Sequence, residues 1–148
     1  MQPPEKINPD SLDVYLEVMS KAVFQSGMSW KVVEAKWPGI QEAFLGFDVG
    51  KVAALTPFDL EELAKDTRVI RNRRKLEAIV HNARQILALD EEYGSFQQYL
   101  RSQDDFDGRL ARMKKDFKFM GPTAVYYLLY VTGEEVPPHE EFEARYRK

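Results

Sequence analysis

The sequence predicts an all-α protein, a single compact helical domain over 1–148. Three observations carry that expectation. Apolar residues recur at three- and four-residue spacing along most of the chain. Capping residues, Pro and Gly punctuate these stretches where helices start and stop. No alternating apolar run of useful length occurs, and no Asn-Gly or Asp-Gly hairpin turn.

Pro9, Asp10 and Ser11 open a first segment in which Leu12, Tyr15, Leu16, Met19 and Val23 share one face. Gln25-Ser26-Gly27 breaks it. Ser29 is expected to cap a second helix from Trp30, with Val33 and Trp37 on one side. Pro38 suits the first turn of a further short helix holding Ile40, Ala43 and Phe44. Asp48 is expected to cap a turn through Val52 and Leu55. Thr56-Pro57 reads as a cap followed by Pro at the first helical position, with Leu60 and Leu63 behind it.

The longest helix is expected from about Asn72 to Glu92, where Leu76, Ile79, Val80, Ala83, Ile86, Leu87 and Leu89 keep a helical period. Gly94 ends it, and Ser95 can cap a turn over Phe96–Leu100. A basic helix near Asp107–Lys115 follows. The segment Phe117–Pro122 interrupts, and an apolar helix resumes over Thr123–Thr132 until Gly133 and Pro137-Pro138 stop it. The tail Glu140–Lys148 is expected to form one or two exposed turns.

With 148 residues, 44% apolar and 30% charged, the chain is neither disordered nor fibrous. No apolar run approaches the ~18–20 residues of a membrane helix. Met1–Lys6 lacks an apolar signal core, so an intracellular address is expected. The absence of cysteine excludes disulfides, thiolate nucleophiles and sulfur-ligated metals. The net charge of −3 hides two basic blocks. Residues 67–84 hold six basic side chains against one acidic, and residues 109–118 hold five against one. Local charge therefore permits a polyanion partner that the total charge disfavours.

Three constellations could carry chemistry. In the first, over about 107–132, a basic helix, an apolar Gly-Pro turn and an apolar helix would form a helical hairpin. Amides at the start of its second helix, with the helix dipole, form an anion site flanked by Lys114, Lys115 and Lys118. Gly121 would let another backbone approach closely. Such a hairpin grips a DNA phosphate without reading sequence; the bland alternative is an αα-corner with solvated lysines.

The second is Arg68-Val69-Ile70-Arg71-Asn72-Arg73-Arg74-Lys75. These five basic residues could contact phosphates; basic charge is unfavourable at a helix start, which favours a ligand or partner over a solvated helix end with one or two ion pairs. The third is Phe24-Gln25-Ser26-Gly27-Met28-Ser29-Trp30. An enzyme working on a base must extrude it and fill the hole. Met28 would be the wedge and Trp30 the stacking surface; alternatively both belong to the core.

Together these segments resemble the DNA-3-methyladenine glycosylase I family of helix-hairpin-helix DNA glycosylases. The matching stretches are Ser26–Trp30, Phe47–Ala54, Ile70–Arg84 and Phe117-Lys118-Phe119-Met120-Gly121-Pro122-Thr123, in the family's order over about residues 12–139. The resemblance implies an all-α fold and a monofunctional glycosylase that flips and releases alkylated purines such as 3-methyladenine during base-excision repair. It implies a base pocket with Trp30, Gln25 and Tyr126, and a wedge at Gly27 and Met28. It implies backbone contacts from Lys118, Met120, Gly121 and Thr123, which the flanking Lys114, Lys115, Arg71, Arg73 and Arg74 would extend. A monomer acting on double-stranded DNA is expected, cytoplasmic and nucleoid-associated, with no membrane partner and no cofactor.

Departures from the family pattern bear on catalysis. The family's opening segment, with its pocket tyrosine and tryptophan, has no counterpart. Of its two zinc cysteines and two histidines only His139 matches, so no metal is expected. Its pocket glutamate, eight residues before the tryptophan, is Ala22 here. Glu17 does not obviously replace it. Pro137 stands where other branches carry a catalytic aspartate, and Pro122 or Thr123 where lyase branches carry a lysine. The catalytic residue is therefore unassigned. A non-catalytic DNA-binding or damage-recognition protein of the same fold is the alternative; a helical partner-binding protein is a third reading.

Overall fold

The computed structural model describes residues 4–146. Residues 1–3 and 147–148 lie outside it, so the first residues of the Met1–Lys6 stretch and the end of the C-terminal tail fall beyond the described residues. Among the described residues, nine α-helices and one 3-10 turn follow in order: α1 Leu12–Gln25, α2 Trp30–Ala43, the 3-10 turn Leu45–Phe47, α3 Val49–Ala53, α4 Pro57–Leu63, α5 Arg73–Tyr93, α6 Phe96–Leu100, α7 Phe106–Asp116, α8 Pro122–Val131 and α9 His139–Tyr146. No strand occurs among the described residues.

Local chemistry explains most of the boundaries. Thr56 and Asp59 exchange side-chain and backbone bonds in a full capping box at α4, with Pro57 at the first position. Asp48, Asn72, Ser95 and Asp105 each accept an N–H three residues on, at Lys51, Lys75, Gln98 and Gly108. Gly94 takes the left-handed conformation (φ 86°) that closes α5.

Two expectations fail. Pro38 starts no helix; α2 runs through it to Ala43. Its ring removes one backbone bond on an exposed side, while Val33, Trp37 and Ile40 bury on the other and offset the loss. The C-terminal tail is not merely exposed turns. α9 buries Phe142 against Phe106 and Tyr126, with ring centroids 5.9 and 4.3 Å away. Ser11 and Ser29 do sit at the N-cap positions of α1 and α2, but neither hydroxyl makes the capping bond.

α5 is the spine. It packs against α1, α3, α4 and α6, while α1 also packs on α8. Leu16, Met19, Leu76, Ile79, Ile86, Val125 and Leu128 are fully buried at these contacts. Arg84 reaches from α5 to cap the end of α3, donating from Nε to the Ala53 carbonyl at 2.8 Å. This framework brings residues from opposite ends of the chain onto one surface.

Candidate nucleic-acid interface

α7, the bend 117–121 and α8 form a helix-hairpin-helix. Phe117 and Met120 anchor the bend by burying their side chains in the core. Between them Phe119 takes a left-handed backbone (φ 60°) and stays partly exposed. Asn82 of α5, fully buried, holds the bend at Lys118 through two backbone bonds of 2.9 and 3.1 Å. Gln85 donates to the Asp116 carbonyl at 2.8 Å.

The start of α8 is open. No side chain caps it, and Pro122 has no N–H, so the amides of Thr123 and Ala124 face outward at the positive end of the helix dipole. Gly121 has an ordinary φ of −81°, and nothing lies within 4 Å of where a Cβ would sit. The backbone approach expected at Gly121 is thus not made by this chain; the space above it is free for a ligand. Lys114, Lys115, Lys118 and Thr123 are exposed around this end. Met120 does not share that role through its side chain, which is buried in the core. A contact from it is limited to the backbone.

The basic segment 68–75 divides. Arg68 pairs with Asp66 and Glu42, and Arg73 with Glu61 and Glu77. Arg73 is therefore engaged with acids of its own fold, on a side chain that is still 40% exposed. Lys75 turns inward; its ammonium donates to the Phe24 carbonyl at 3.0 Å and to the Ser26 carbonyl at 2.5 Å, tying down the end of α1. Burial lowers its pKa. Arg71 and Arg74 remain exposed without an ion pair among the described residues.

The loop between α1 and α2 carries the proposed wedge. Gly27 is left-handed (φ 73°), and Met28 is exposed at the tip. Gln25 lies just before it, with Nε2 buried and without a partner among the described residues. Trp30 is 38% exposed, so it is not a sealed core residue.

The aromatic that meets Trp30 is Tyr127, edge-on at 6.1 Å between centroids. Tyr126, its neighbour, was expected in this pocket. It turns the other way, donates its hydroxyl to the Pro137 carbonyl at 2.8 Å and stacks on Phe142. One step along a helix turns a side chain by about 100°, which no motif match could resolve. Burial, followed by the negative charges of Glu34 and Glu17, pushes the Tyr127 phenol up to about 12.

Glu17, Lys21, Glu34, Trp37 and Gln41 complete this corner and were not expected there as a group. Glu17 Oε2 accepts from Trp37 Nε1 at 2.9 Å and from Gln41 Nε2 at 2.6 Å. Lys21 pairs with Glu34. The only available signal was spacing: Trp30, Glu34, Trp37 and Gln41 fall four, three and four apart on α2. Ala22 is buried beneath, offering no polar atom. His139 is an exposed side chain beside Glu143.

The profile of the methyladenine glycosylase family matches residues 9–113, and the chain belongs to that family. The DNA-3-methyladenine glycosylase of Haemophilus influenzae is 38% identical over 78 residues, 53% of this chain and 42% of that one. DNA-3-methyladenine glycosylase 1 of Escherichia coli is 29% identical over 130 residues, 74% of this chain and 70% of that one. The chain thus spans about two fifths of the first relative and over two thirds of the second. A crystal structure of 3-methyladenine DNA glycosylase I in complex with 3-methyladenine superposes with a TM-score of 0.75 at 27% identity, over 87% of this chain and 81% of that chain. The family match ends before the bend 117–121.

Proposed function

We propose that the protein is a monofunctional DNA glycosylase of base-excision repair. It acts as a monomer on double-stranded DNA in the bacterial cytoplasm, at the nucleoid, and releases alkylated purines such as 3-methyladenine. One observation supports this reading above the rest. α8 carries the uncapped, lysine-flanked N-terminus and, six residues from Gly121, Tyr127 against the exposed Trp30. About 9 Å of helix separates them, so a phosphate gripped at one end leaves a rotated-out base within reach of the other.

The chemistry asked of the protein is modest. An N3-alkylated purine in DNA is cationic and leaves C1′ as a neutral base, while water adds at C1′. Stacking on Trp30, with Met28 filling the gap in the duplex, supplies the binding. Gln25, Gly27 and Thr123 belong to the same contact surface.

Ala22 favours the second reading, a damage-recognition protein that binds without cleaving, because it removes the carboxylate at that position of the motif. Incubation with methylated DNA separates the two. Free 3-methyladenine, lost in Trp30→Ala with duplex affinity retained, is the expected result. Tight binding without free base establishes the second reading, and absence of DNA binding defeats both.

A further inference from the structure

α1 and α2 face each other through a charged and aromatic stripe beside Tyr127. Lys21 Nζ lies 5.3 Å from the centroid of Trp30 and 5.4 Å from that of Trp37, between two indoles, and pairs with Glu34. Glu17, one turn before Lys21, holds Trp37 and Gln41 in place. The corner opens to solvent, since the side chains of Lys21 and Glu34 are 19% and 44% exposed. Two indole faces and a carboxylate around an ammonium are the recognition chemistry of a cation cage. Here the cage is filled by the protein's own side chain. Glu17 adds a second carboxylate to the corner, its Oε2 taken up by Trp37 Nε1 and Gln41 Nε2.

Building on the base-releasing reading, we propose that Lys21 is a resident competitor: it occupies the Trp30–Trp37–Glu34 cage in the free protein and must leave when a base enters. A cationic purine replaces the ammonium charge for charge. A neutral purine evicts Lys21 and leaves Glu34 without its ammonium, so it falls below the threshold for binding. Lys21 thereby sets how strongly any base must bind, and Glu34 sets the preference for positive charge. The effect of Glu34 and Glu17 on the Tyr127 phenol agrees with both carboxylates facing the base site.

The test uses 3,9-dimethyladeninium as a fixed cation and 9-methyladenine as its neutral counterpart, with binding read by tryptophan fluorescence and calorimetry on the full chain. Lys21→Met is expected to tighten both probes by roughly fivefold, with their ratio unchanged, because the competitor is gone. Lys21→Arg, which keeps the charge and stacks as well, is expected to match the parent. Glu34→Gln is expected to shrink the cation-to-neutral ratio. Lys21→Gln serves if the methionine variant does not fold. Unchanged or weaker binding in Lys21→Met and Lys21→Gln, or no response to either probe, overturns the inference. Release of 3-methyladenine from methylated DNA is measured in parallel. Release without tightening defeats the cage alone; tightening without release defeats the glycosylase reading alone.

Discussion

Asn82 clasps the backbone of Lys118 from both sides, donating from Nδ2 to its carbonyl and accepting its N–H at Oδ1. The two residues are 36 apart in sequence, and Asn82 is fully buried in α5. The spine of the fold thus holds the bend that leads into α8. Replacing Asn82 with Leu strands two backbone groups, at a cost of about 2–4 kcal/mol. For a domain of this size that lowers Tm by roughly 5–15 °C. Duplex affinity is expected to fall with it, even at temperatures where the variant is folded. Urea unfolding and a gel-shift titration at low temperature measure the two effects separately; a destabilised variant with undiminished affinity refutes the link.

Gly121 allows stability and binding to be driven in opposite directions. Its φ of −81° suits any residue, its Cβ position is empty, and it is the N-cap of α8. Aspartate is a favoured N-cap, so Gly121→Asp is expected to leave Tm unchanged or raised. If the proposed phosphate site is right, the same carboxylate occupies its amides and is expected to weaken duplex binding by about tenfold or more. Thermal melts alongside binding isotherms decide the matter, and retained affinity removes the hairpin from the interface.

The basic residues are expected to separate by their pairing. Arg71, Arg74 and Lys118 are exposed with no ion pair among the described residues, whereas Arg73 pairs with Glu61 and Glu77. Each free cation that meets a phosphate contributes about one unit to the slope of log affinity against log salt. Alanine at Arg71, Arg74 or Lys118 should flatten that slope by roughly one each, irrespective of DNA sequence. Arg73→Ala should leave it alone and act on stability instead. Equal slopes for all four variants would show that the pairing in the free protein does not persist on DNA.

Tyr127 makes a prediction in alkali. Its folded pKa is pushed up to about 12, above the ordinary tyrosine value near 10. Between these values the unfolded chain loses the phenolic proton and the folded one keeps it. The stabilising contribution is therefore complete below pH ~10 and is lost as pH rises toward ~12. Tyr99 is shifted upward as well, by burial and its bond to Asp116. Tyr127→Phe should therefore flatten, not abolish, the fall in stability above pH ~10. Unfolding midpoints in urea across that range give the comparison.

The helical class was legible because its signals are short-range. A cap at Thr56, Asp48, Asn72 or Ser95 is a bond to a backbone N–H three residues on, and nothing distant takes part. The ordered motifs also made the family legible through Trp30, the Phe117–Thr123 bend and the long helix before it. Pro38 misled because burial of Val33, Trp37 and Ile40 outweighs a local preference, a balance that only packing reveals.

What tertiary structure alone decided is the fate of each charge and ring. Five cations in eight residues look alike in sequence; acids at positions 42, 61, 66 and 77 neutralise Arg68 and Arg73, and two carbonyls at the end of α1 claim Lys75. Likewise Tyr127, not Tyr126, reaches Trp30, 97 positions earlier. The reason is common to both cases. Helix formation depends on neighbours within a turn, whereas the partner of an outward-pointing side chain depends on how distant helices rotate and dock.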